Sequence, residues 1–143
     1  MNGRTTRRAA LAALSALVLG ASIGASAQDP RATEAQQAAR AWLAIADKLD
    51  AEASYKAAGP KFRGALTPER WRDAVRQVRF PAGTLVQRTV QTTQFAAKLK
   101  DQPDGDYVLI TFRSSWTNKT VGRELVSLER VGGKWLVVGY VIQ

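Results

Sequence analysis

The chain of 143 residues contains no histidine and no cysteine. Without histidine it lacks the commonest general acid or base near neutral pH and the commonest metal ligand. Without cysteine it can form no disulfide and offer no thiolate, so it must stand on its hydrophobic core. Acids are scarce too: twelve Asp and Glu stand against 21 Lys and Arg, a formal net charge of +9. That balance favours anionic surroundings such as lipid head groups or cell-wall polymers and carries no specificity of its own. There is no Gly-rich phosphate loop, and a serine nucleophile would have no histidine base. These absences leave no recognisable catalytic constellation, cofactor motif or metal-ligand set, and a non-catalytic role is expected.

Long apolar runs are missing except at the start. Arg4, Arg7 and Arg8 precede the run Ala9 to Ile23, which Ala25-Ser26-Ala27 follows. This order is that of a secretory signal peptide, with cleavage expected between Ala27 and Gln28. The run is short for a membrane span, and no cysteine follows it to carry a lipid. Thr6-Arg7-Arg8 with Leu11 also resembles a twin-arginine leader, although Ala10 stands where such leaders prefer a bulky apolar residue. The expected product is exported, periplasmic or secreted, and touches the membrane only through its leader before cleavage. Removing 27 residues and their three arginines leaves 116 residues of net charge +6, a length suited to one domain over 28–143.

What remains divides by hydrophobic period. Thr33-Glu34-Ala35-Gln36 has the form of a capping box, and Ala35, Ala38, Trp42, Ile45, Ala46 and Leu49 follow on one helical stripe. Arg40, Asp47 and Lys48 fall off that stripe, so they are expected to face water. Asp50 to Ala58 reads as a second helix stopped by Gly59-Pro60, and Lys61 to Leu66 adds a turn anchored by Phe62. Thr67-Pro68-Glu69 supplies a cap, a proline at the first helical position and an acid in the first turn of a third helix. Trp71, Val75 and Val78 form its buried stripe, and Phe80-Pro81-Ala82-Gly83 ends it.

From Thr84 the period becomes two. A first strand, Leu85 to Lys98, alternates imperfectly and is expected to be bent or bulged. Asp101 to Asp106 is a turn composition, and Tyr107 to Trp116 is a second strand with Val108, Ile110, Phe112 and Trp116 in phase. Asn118-Lys119-Thr120 is expected to be a loop. Two last strands flank Gly132-Gly133, the residue pair a type I′ hairpin turn favours because both positions need positive φ. Helices followed by consecutive strands predict an α+β fold: three N-terminal helices on one face of a curved four-stranded antiparallel sheet.

Ala41-Trp42-Leu43, Asp50 through Tyr55, Phe62, Trp71 with Val75 and Arg76, Asp104 through Val108, and Trp135 through Gly139-Tyr140 occur in an order that resembles the bacterial domain-of-unknown-function family 4019. The resemblance implies an exported protein and a cystatin-like or nuclear-transport-factor-2-like topology, in which a curved sheet wraps a long helix. It brings no established activity and no catalytic residue.

Glu124 shares phase with Val126 and Leu128 and is expected at the rim of the helix–sheet space, either as a functional carboxylate or as an end-of-strand residue that reaches water or pairs with an arginine. The aromatics at core positions pack the interior or, with Glu124, line a ligand pocket; its candidate residues are Trp42, Tyr55, Trp71, Phe112, Trp116, Glu124 and Trp135. Arg72, Arg76 and Arg79 read as a solvated helix face, because Glu69 and Asp73 stand three residues before two of them. No nucleic-acid motif is present. In the last strand both alternating phases are apolar, so both sheet faces are expected to be covered, the outer one by a second copy in a homodimer. Three functions are compatible with the residues: a domain binding a small ligand or an envelope partner, a pocket lyase or isomerase using Glu124, and a structural accessory acting through its outer sheet face.

The leader yields the first prediction. Protein recovered from the envelope fraction of its host is expected to begin at Gln28, which intact-mass and N-terminal sequence measurements will read directly.

Overall fold

The computed structural model describes residues 29–143, so the leader and the junction between Ala27 and Gln28 lie outside the described residues. Helix α1 spans Pro30–Asp47, α2 Ala51–Ala57, α3 Pro60–Ala65 and α4 Pro68–Ala74. A π-helical turn, Val75–Arg79, and a last α-turn, Phe80–Ala82, extend α4. Strands β1 Leu85–Ala96, β2 Tyr107–Trp116, β3 Lys119–Val131 and β4 Lys134–Ile142 form one antiparallel sheet in sequence order. The helices pack on one face of this sheet, the α+β arrangement that the change of period predicts.

Helix boundaries follow local chemistry. Helix α1 begins three residues before the expected capping box: Asp29 caps it through a bond from the Arg31 amide, and Pro30 occupies the first turn. Thr33 therefore lies inside the helix. Asp50 caps α2 and Thr67 caps α4, each side chain accepting the backbone N–H three residues on. The turn anchored by Phe62 is a separate short helix, because Pro60 restarts the ladder after Gly59. Between β2 and β3 the turn is only Thr117 and Asn118, so the expected loop residues Lys119 and Thr120 belong to β3. The Gly132-Gly133 turn has φ of 57° and 78°, as a type I′ hairpin requires.

Beneath the helices, Val108, Ile110 and Phe112 of β2, Val126 and Leu128 of β3, and Trp135 and Val137 of β4 meet Ala35, Ala39, Trp42, Leu43 and Ala46 of α1. Small alanines let α1 lie close to the sheet. Strand β1 carries register breaks at Val86 and Gln91, the irregularity its imperfect alternation predicts. Strand β4 carries another: Leu128 pairs with Val137 and Ser127 with Gly139, leaving Val138 as an extra residue. This bulge returns Tyr140 and Ile142 to the inner face that Trp135 and Val137 occupy. The bulge thus moves half of the second apolar phase inward, while Leu136, Val138 and Val141 stay outside the inner face.

The two sheet edges differ. At β4, Gly59 donates its N–H to Val137 O at 2.7 Å, so the α2–α3 corner occupies that edge. From the same corner Phe62 enters the core, while Lys61 bonds Glu129 at 2.6 Å and the Tyr107 hydroxyl at 2.9 Å. A side chain at Gly59 would meet Leu136 Cβ and Val137 O, both at 3.0 Å. Gly59→Val is therefore expected to lift the corner from the edge and lose about 1–3 kcal/mol, read by urea unfolding. Aggregation should rise with it, because the edge of β4 is uncovered.

Candidate functional site

Polar residues meet where the end of α1, the π-turn and all four strands converge. Asp47 is the last residue of α1, Arg79 the last of the π-turn, Arg88 lies in β1, Ser114 in β2, Glu124 in β3 and Tyr140 in β4. The Arg88 guanidinium bridges both acids. It reaches Asp47 at 2.8 and 2.9 Å through its two terminal nitrogens, and Glu124 at 2.7 Å through Nε and 3.1 Å through Nη2. Arg79 donates to Asp47 at 2.5 Å and to the Tyr140 hydroxyl at 3.2 Å. Tyr140 in turn donates to Glu124 Oε2, and Ser114 to Glu124 Oε1, each at 2.5 Å. The chain of bonds closes on itself through Asp47, Arg79, Tyr140, Glu124 and Arg88.

Two acids balance two guanidiniums in this ring. Glu124 is 0% exposed and Arg79 2%, so the charges are compensated by one another rather than by water. Burial pushes the Asp47 carboxyl up, but the hydrogen bonds and charges of Arg88 and Arg79 outweigh it and hold its pKa below the ordinary value. Burial likewise opposes the charge on Arg88, and its bonds to Asp47 and Glu124 more than restore it, raising its pKa. Burial, then the charge of Glu124, pushes the Tyr140 phenol up, so the hydroxyl keeps the proton it donates.

The expected position of Glu124 on the inner face holds, but it lies enclosed rather than at a rim, and its partner is an arginine. Three expectations are corrected, the first being that of Val78, which leaves the buried stripe of Trp71 and Val75 and is 47% exposed. Asp47 does not face water, because Arg79 and Arg88 are brought to the end of α1 from other elements. Arg79 does not share a solvated face with Arg72 and Arg76; the wider π-turn directs it into the interior. The pocket candidates separate into three places. Trp42, Tyr55 and Trp71 join Phe62 and Tyr140 in an aromatic cluster with centroid spacings of 5.2–6.3 Å. Ser54 ties this cluster to α2, its carbonyl accepting from Trp42 Nε1 and its hydroxyl from Trp71 Nε1, both at 2.9 Å. Phe112, Trp116 and Glu124 are buried near the ion ring, and Trp135 packs instead on Phe95 at 6.0 Å.

Sequence reasoning missed Arg79, Arg88, Ser114 and Tyr140. A signal was present for two of them: Arg88 and Ser114 fall in the inner phases of their strands and face each other in the register. Between α4 with its π-turn and β4 lies a cleft of about 200 Å³, lined by Trp71, Ala74, Val75, Val78, Val141 and Ile142, with Arg79 and Tyr140. The Arg79 Nε is buried and has no hydrogen-bond partner. Among the described residues no group of three acids could hold a metal ion.

Arg88→Met leaves the buried Glu124 carboxylate without a cation and Asp47 with Arg79 alone, and is expected to lose about 3–5 kcal/mol in urea unfolding at pH 7. The pKa of Asp47 is lower folded than unfolded, so its contribution is complete above about pH 4 and is lost as pH falls through the folded value. Asp47→Asn should therefore lose less stability than the wild type between about pH 4 and pH 2.

No curated protein sequence matches the chain. Among solved structures, that of Aln2 from a Streptomyces species is similar with a TM-score of 0.48 and 16% identity, over 80% of this chain and 91% of that one. A family model described as "Protein of unknown function (DUF4019)" matches residues 38–140, from the middle of α1 to Tyr140. The chain belongs to the DUF4019 family of proteins of unknown function.

Proposed function

We propose that this chain is an exported, non-catalytic domain of the cell envelope. It binds a small, largely apolar molecule in the cleft between α4 and β4. The observation that carries this reading is the composition of the cleft. Its lining is aromatic and aliphatic, while Arg79, whose buried Nε–H has no acceptor, and Tyr140 form its polar end. Apolar walls with a few convergent polar groups are the ordinary makeup of a small-molecule site. A ligand would meet Arg79 and Tyr140 at the polar end and bury its remainder against Trp71, Val75 and Ile142. At about 200 Å³ the space is below the ~300–1,000 Å³ of drug-sized sites, so the ligand is small or only partly enclosed.

The lyase or isomerase reading receives less support. Both oxygens of Glu124 are engaged, by Arg88, Ser114 and Tyr140, and the residue is fully enclosed. A general base must reach a substrate proton within hydrogen-bond distance, directly or through one water. Docking to an envelope partner would use the rim of the same cleft, where Val78 and Val141 are about half exposed.

Native mass spectrometry of protein taken from the host envelope is expected to show a mass starting at Gln28 with an added small molecule. Ala74→Phe, which fills the apolar part of the cleft and replaces no member of the ion ring, should remove the addition and leave the unfolding midpoint nearly unchanged. Bare monomer from both proteins would overturn the small-ligand reading. A doubled mass without an addition would move the function to the outer sheet face and a second copy.

A further inference from the structure

On the opposite face of the sheet, a second groove of about 330 Å³ crosses β1, β2 and the start of β3. Its walls are mostly polar: Gln87 and Thr89 of β1, Arg113 and Ser115 of β2, and Thr120 of β3, with Ser114 at its floor and Val121 as its one apolar side chain. No acid lines it. The groove sits at a break in the ladder, where Ser114 pairs with Gly122 and Trp116 with Lys119, so Ser115, Thr120 and Val121 have no partner across β2 and β3. Bulges of this kind re-aim side chains and end pairing, and they are over-represented beside functional sites.

One step from the break, Arg113 and Arg123 stand directly opposite each other in the register. Their neighbours Ser114 and Glu124 point inward, so both arginines project from the outer face, and both are exposed. Like charges directly opposite on one sheet face repel. Among the described residues neither arginine forms an ion pair, and the acids of β3 lie elsewhere: Glu124 in the buried ring and Glu129 on Lys61. A repelling pair beside a hydroxyl-lined groove lacks only an anion.

We propose that this groove is an oxyanion site that takes a phosphate group, free in solution or carried on a lipid head group. The Arg113 guanidinium would make the charged contact, the Thr89, Ser115 and Thr120 hydroxyls and the Gln87 amide would donate to the remaining oxygens, and Arg123 would supply the second positive charge. Arginine suits this role because its planar fork matches phosphate oxygens in pairs. The site faces away from the α4–β4 cleft and does not depend on what that cleft binds.

The test is an amide NMR titration of the purified protein with inorganic phosphate at constant ionic strength, with chloride as the reference anion. Saturable shifts confined to Arg113, Ser115 and Thr120 are expected, with Arg113→Gln weakening them about tenfold or more. Arg72→Gln, on exposed α4, should have no effect. Because Arg113 is exposed and its removal relieves repulsion, Arg113→Gln should unfold no earlier than the wild type, which keeps its result readable. Co-sedimentation with phosphatidylglycerol vesicles but not phosphatidylcholine vesicles, lost in Arg113→Gln/Arg123→Gln, would identify a lipid-borne phosphate; phosphate shifts without vesicle binding would identify a soluble one. Shifts that chloride reproduces, that never saturate, or that Arg113→Gln leaves unchanged would overturn the site.

Discussion

The guanidinium of Arg88 joins Asp47, at the end of the long helix, to Glu124, in the middle of the sheet. It stands 7% exposed and makes four of the short contacts that hold the two layers together. The arrangement stabilises only as a set, because the desolvation of each charge is offset by its neighbours and by nothing else. Apolar packing brings α1 onto the sheet without specifying where along the strands it must lie. A closed ring of charged and hydroxyl groups tolerates one position, so it fixes the register of the layers.

The remaining polar groups of the inner space join the same ring. Ser114 and Tyr140 both donate to Glu124, and Arg79 serves Asp47 and Tyr140 together. The ring engages both inner carboxylates, in a chain that has no histidine. What the ring leaves over is one N–H of Arg79, a residue that also lines the apolar cleft between α4 and β4.

The two faces of the sheet therefore carry different chemistry. On the helix side, charges are paired and buried. On the outer side, Arg113 and Arg123 repel each other beside an interrupted ladder. The bulges in β1, β3 and β4 connect these facts, since each shifts the alternation of side chains by one residue. The shift in β4 places Tyr140 in the ring, and the break between β2 and β3 opens the groove.

Much of the architecture was legible from local chemistry. The Gly132-Gly133 turn, the Thr67-Pro68 helix start, the second strand and the burial of Trp42, Trp71, Phe112, Trp116 and Trp135 each follow from a few adjacent residues, because turns, caps and hydrophobic period are short-range properties. Asp47 and Arg79 were misread for the same reason: each looks solvated beside its own helical neighbours, and its partner lies tens of residues away. The bulge at Val138 and the π-turn at Val75–Arg79 changed which side chains face inward, and neither leaves a mark in a strict alternation or a regular stripe. The sequence by itself determined the order of elements, the apolar core, the hairpin turn and the absence of histidine and thiol chemistry. Only the tertiary structure decided which charges are paired and which stand alone, since a buried ion pair is defined by distance and exclusion of water across elements that the chain brings together last.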